Sequence, residues 1–111
     1  MKTLAYSVLV TALFALTVQA ASPLSVTVSG GMISDDNPTV GFVLANPGTE
    51  AALTNVFDLQ GHRVAELSAQ SLSHFSWDGN DVDEQPVDPG FYVVQIRHEG
   101  QVGHYPVIVN R

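Results

Sequence analysis

The sequence contains no cysteine. A disulfide scaffold, a thiolate metal site and a cysteine nucleophile are therefore all excluded. Basic residues are scarce, 4 Lys+Arg against 11 Asp+Glu in 111 residues, for a formal charge of −7. Nucleic acid and anionic membrane surfaces, whose phosphates demand clustered Lys and Arg, are poor partners for such a chain. The sequence has no glycine-rich phosphate loop, no Gly-x-Ser-x-Gly elbow, no His-Glu-x-x-His and no His-x-His. Nucleotide binding, serine-hydrolase chemistry and a zinc centre thus lack their signatures. Nor does any stretch after residue 20 sustain apolar residues at i, i+3, i+4 and i+7, the spacing of an amphipathic helix.

What is present begins with MKTLAYSVLVTALFALTVQA. Lys2 gives a positive start, Val8 to Val18 is apolar except at Thr11 and Thr17, and Val18-Gln19-Ala20 places small residues where a signal peptidase reads. This is the layout of a secretory signal peptide over residues 1–20. As an uncleaved anchor the apolar run is short of the ~20 residues a bilayer requires. Cleavage after Ala20 leaves residues 21–111 as one small domain and removes Lys2. Such a domain is stabilised by burial alone and is large enough for that.

In the remaining chain, short alternating runs are separated by Gly, Pro, Asn and Asp. Leu24, Val26 and Val28 alternate up to Gly30-Gly31, and Val40, Phe42 and Leu44 up to Asn46-Pro47-Gly48. Ala52 to Leu59 is a third strand, closed by a hairpin turn at Gly61, and either of its faces could point inward. His62–Leu67, Leu72–Trp77, Phe91–Arg97 and Val102–Asn110 complete seven strands, the pattern of a β-sandwich. For the last pair, a two-residue loop at Glu99-Gly100 sets His98 opposite Gln101, Val94 opposite Tyr105 and Tyr92 opposite Val107. That register gathers Tyr92, Val94, Ile96, Tyr105 and Val107 on one apolar face, which a one-residue slip would destroy. Glutamate is a poor residue for positive φ, which leaves a bulged turn open as well.

Three passages then stand in an order with a family resemblance. They are TVGFVLANPGTEAALTNVFDLQGHRVAEL, HFSWDGND around Trp77-Asp78-Gly79, and PVDPGFYVVQIRHEGQVGHYPVIVNR with its Gly90-x-Tyr92. Together, from about Ile33 to Arg111, they resemble the FlgD-like immunoglobulin-like domain named for the flagellar hook-capping protein. They are also similar to the C-terminal sorting domains of type IX secretion cargo. The resemblance implies an all-β, antiparallel immunoglobulin-like β-sandwich of about seven strands used for structure or docking, with no catalytic residue to carry over. Hook capping does not transfer, because the flagellar protein's other segments have no counterpart here.

Apart from any family, Trp77 reads as a core ring with its indole N–H at the edge, and Asp78-Gly79 as a turn. The densest polar cluster, Asp78, Asn80, Asp81, Asp83, Glu84 and Asp88, offers hard oxygen donors, and Asp78, Asn80, Asp81 and Asp83 are the calcium candidates. An EF-hand loop starting at Asp78 fails at Val82 and Asp83. The competing reading is a solvated acidic turn. His62, His74, His98 and His104 read as surface histidines. The expectation is a secreted or periplasmic, non-catalytic module of the bacterial cell envelope or exterior, without cofactor or membrane contact once the leader is removed. Its protein partner would dock on a sheet face or on an edge strand, Ser25–Ser29 or Val102–Asn110. A sorting-type export or anchoring domain and a calcium-stabilised adhesion module are the alternatives.

Overall fold

Alternation of apolar side chains decides which surfaces of this chain meet. The computed structural model describes residues 24–111; the leader expected over residues 1–20 lies outside them. Nine strands form: β1 (Val26–Ser29), β2 (Met32–Ile33), β3 (Val40–Leu44), β4 (Leu53–Asp58), β5 (Arg63–Ala65), β6 (Ser68–Ala69), β7 (His74–Trp77), β8 (Gly90–His98) and β9 (Gln101–Val109). They make two sheets, β1-β3-β7-β6 and β2-β9-β8-β4-β5, antiparallel throughout except for the β2–β9 pair. No helix occurs among the described residues. The chain is the all-β sandwich its periodicity predicts.

Facing side chains of the two sheets fill the core. Val40, Phe42 and Leu44 of β3 and Phe75 and Trp77 of β7 pack against Val56 of β4, Val94 and Ile96 of β8 and Val107 and Val109 of β9. Pairing settles the ambiguous face of β4. Val56 stands opposite Val94, and Thr54 opposite Ile96; cross-strand partners share a face. The Ala52-Thr54-Val56 side is therefore inward, and Leu53 and Leu59 project into solvent.

The two strands beyond the expected seven are short and lack alternation. β6 consists of exposed Ser68 and Ala69, held against β7 by backbone pairing at Ser76 and Phe75. β2 exists because Gly30 and Gly31, with φ of 85° and 81°, carry the chain from one sheet to the other. Two successive positive φ values are open to glycine at no steric cost. Beyond them Ile108 N–H donates to Gly31 O and Asn110 N–H to Ile33 O, and Ile33 becomes fully buried.

The β8–β9 register is the expected one along its whole length, from His98↔Gln101 to Gly90↔Val109. The turn is the two-residue form, with Glu99 at φ 50° and Gly100 at φ 76°, the double positive φ of a type I′ hairpin. Glu99 thus occupies a left-handed position that asparagine tolerates better. Replacing it (Glu99→Asn) is expected to stabilise the fold by about 0.5–1 kcal/mol, read as an upward shift of the thermal midpoint.

Candidate functional site

The motif residues converge on one end of the sandwich. Trp77 closes β7, only 2% exposed, and donates its indole N–H to Asn80 O at 2.9 Å. Its ring meets Tyr92 of β8 edge-on, at a centroid distance of 5.4 Å and 63° between planes. Tyr92 in turn donates its hydroxyl to Asp88 O at 2.6 Å, four residues back along the chain. This is the local geometry of a tyrosine corner. Gly90 opens β8 opposite Val109, and Gly61 lies apart, in the β4–β5 turn. Burial is the main cause that holds the Tyr92 phenol above its ordinary pKa of 10.0, and the Asp88 and Asp58 charges add to it.

Arg111, on which the sequence reading placed no role, clamps the same loop. Its guanidinium donates to Asp78 O at 3.1 Å, Gly79 O at 3.0 Å and Asn80 Oδ1 at 3.3 Å. Gly79, at φ 77°, lies so close that a Cβ there would sit 2.9 Å from Arg111 Nη2. The positive φ favours glycine there, and any side chain would displace the guanidinium from its carbonyl partners. A lone arginine after an alternating strand carries no signal of such a role in one sequence.

The acidic loop uses its carboxylates inwardly. Asp78 Oδ1 accepts Asn80 N–H at 3.0 Å. Asp81 Oδ1 accepts the N–H groups of Asp83 at 2.9 Å and Gln85 at 3.0 Å. These are Asx turns, in which a side chain replaces missing backbone partners. Of the calcium candidates, Asp78 and Asn80 are adjacent through Asn80 Nδ2, while Asp81 is taken by its own turn. Among the described residues no three His, Asp or Glu side chains converge as a metal site.

Asp58 is engaged in the same manner in the Gly61 turn. Its Oδ1 accepts from His62 N–H at 2.8 Å and Gln60 N–H at 3.0 Å. The His62 backbone N–H is the largest cause that holds the carboxyl below its ordinary range. His74 Nδ1, exposed at the start of β7, lies 2.8 Å from Ser73 Oγ. His98 corrects the expectation of four surface histidines, being only 6% exposed. Its Nε2 donates to Pro47 O at 2.8 Å and Glu50 O at 3.1 Å. Both partners are carbonyls, so that nitrogen carries the proton, and the ring pins the β3–β4 loop to the final hairpin.

The two candidate docking edges differ. On β1, Ser25 O accepts Ala45 N–H, which fixes the alternation and turns the backbone polar groups of Val26 and Val28 away from β3. That edge, Ser-Val-Thr-Val-Ser, has no charge, proline or bulge, the usual devices that protect an edge strand. β9 departs from the expectation of a second open edge. β2 covers it at Ile108 and Val109. In its exposed part Pro106 stands where an N–H would point outward, so the proline costs no ladder bond yet denies a donor to an added strand.

No protein-family model matches the chain, and no curated protein matches it significantly. Among solved structures it is similar in fold to PorZ, an essential bacterial surface component of the type-IX secretion system of the human oral-microbiomic Porphyromonas gingivalis. The two superpose with a TM-score of 0.58 at 18% identity over 78% of this chain, which corresponds to 12% of the PorZ chain. At that identity the likeness is one of fold.

Two outcomes follow from this geometry. Tyr92→Phe is expected to cost about 0.5–1.5 kcal/mol in chemical denaturation at neutral pH, the worth of one hydrogen bond. A phenol whose pKa is raised by folding stabilises below its unfolded value and ceases to as pH rises through the folded one. The variant should accordingly lose less stability than the parent above pH 10.0. Asp81→Ala is expected to cost about 1–2 kcal/mol, equally in EDTA and in millimolar calcium, because its role is to accept backbone N–H groups. A calcium-dependent rise in melting temperature that this variant abolishes would assign a cation site instead.

Proposed function

We propose that this chain is an exported, non-catalytic immunoglobulin-like module of the bacterial cell envelope or exterior that acts by protein contact. The observation that carries the reading is the unprotected β1 edge, where Val26 and Val28 offer backbone donors and acceptors to an extended partner strand. A long-lived exported protein with such an edge is prone to strand addition unless that edge is used. The absence of catalysis is supported by how the polar groups are spent. The Asp78 and Asp81 carboxylates serve their own turns, and the Ser73–His74 pair stands open to water.

A second reading, export or anchoring of sorting-domain type, is supported by the likeness to part of PorZ. One experiment tests both. A photo-cross-linking residue at Ser25, exposed beside the β1 edge, is expected to give a discrete protein adduct in the producing cell. Thr27→Lys, which adds a charge to the same edge strand, should abolish it. An adduct with a component of the secretion machinery would favour the second reading over the first. Free protein alone, at native expression level, would count against both.

A further inference from the structure

The sandwich has two outer faces, and they differ in chemistry. That of the four-stranded sheet carries mainly small polar groups, among them Thr27, Ser29, His74 and Ser76. That of the five-stranded sheet is apolar over the half nearest Gly90. There Phe91, 58% exposed, and Met32, 41% exposed, flank Ile108, and half-buried Phe57 and Val93 lie beside Pro106 in the next row. A polar row of Asn55, Gln95 and His104 separates this patch from Leu53 and Val102, which stand on either side of Arg97. Solvent-facing positions of an antiparallel strand are ordinarily polar, and contiguous exposed apolar surface of this kind marks an interface. The cluster does not involve the β1 edge, which belongs to the other sheet.

Charge and area say what covers it. The chain holds 11 acidic residues, yet no Asp or Glu occupies an outward position on β4, β8 or β9. Of the two arginines there, Arg63 is engaged by Asn55 and Glu66, which leaves Arg97 at one end. A strongly charged partner of either sign therefore finds little to pair with. A nearly neutral face with an apolar patch beside an amide and imidazole row is complementary to itself, as an isologous two-fold contact requires. The whole outer face, polar row included, spans about 20 Å by 27 Å, so two such faces bury at most about 1,000 Å², the lower end for a specific interface. Carboxylates lie outside it, with Asp35, Asp36 and Asp88 beyond one end and Glu50 and Glu99 beyond the other. Two acidic copies meeting there repel at the rims, and salt screens that repulsion while strengthening apolar contact.

We propose that two copies of this chain associate face to face through the outer surface of the five-stranded sheet, as a weak dimer that tightens with ionic strength.

Sedimentation equilibrium of the purified protein tests this. The weight-average mass is expected to rise from monomer towards dimer between about 1 µM and 1 mM, the range for an interface at the small end. Added sodium chloride should move the transition to lower concentration. Phe91→Glu and Leu53→Glu, both at exposed positions, should hold the mass at the monomer value. Thr27→Glu, on the opposite outer face, should leave dimerisation as in the parent. Retained near-ultraviolet signal and thermal midpoint identify which variants are folded, and either folded variant decides the point. Monomer mass at every concentration, a dimer that weakens with salt, or one lost in Thr27→Glu and kept in Phe91→Glu would overturn the proposal.

Discussion

The sheets of this protein are locked together where Trp77 meets Tyr92. One ring comes from β7 of the four-stranded sheet and the other from β8 of the five-stranded sheet, and each is held by a polar bond at its rim. An edge-to-face aromatic pair contributes about 0.5–1.5 kcal/mol beyond the area it buries. Its larger effect is positional. Because the indole N–H is tied to Asn80 and the phenol to Asp88, the rings fix both ends of the acidic loop. Arg111 then closes the loop from the third side. A chain without disulfides needs some such anchor to set how its sheets are aligned, since apolar burial by itself has no direction.

Much of this arrangement is legible in the sequence, because side-chain alternation and register are coupled. The β8–β9 pairing follows from the single requirement that Tyr92, Val94, Ile96 and Val107 share a face, and the structure meets it. The inward face of Ala52–Leu59 could not be read in the same manner, because both sides of that strand carry apolar residues. Only its pairing with β8 decides it. β2 and β6 were hidden for a different reason: two-residue strands contain no period.

The motif residues Trp77, Asp78, Gly79, Gly90 and Tyr92 were legible as a set, but their physical connection was not. Trp77 and Tyr92, in separate segments of the sequence, become one contact in space. Arg111 and His98 stayed invisible because each acts on backbone carbonyls. Side-chain identity says nothing about where carbonyls will be. The acidic loop misleads in the opposite sense. Its composition suggests a cation, whereas its geometry spends Asp78 and Asp81 on N–H groups that the turn leaves without partners.

The parallel pair of β2 and β9 has a kinetic consequence. It joins Met32 to Ile108 and Ile33 to Val109, so the earliest segment of the five-stranded sheet waits for the latest. Contacts this distant along the chain slow folding, since ordering of the intervening residues precedes their reward. A polypeptide that emerges amino end first therefore holds Ile33 without its β9 partner until Val109 has arrived. Early collapse of the five-stranded sheet is disfavoured by topology itself, and completion of the β8–β9 hairpin becomes the event that lets the sheet close.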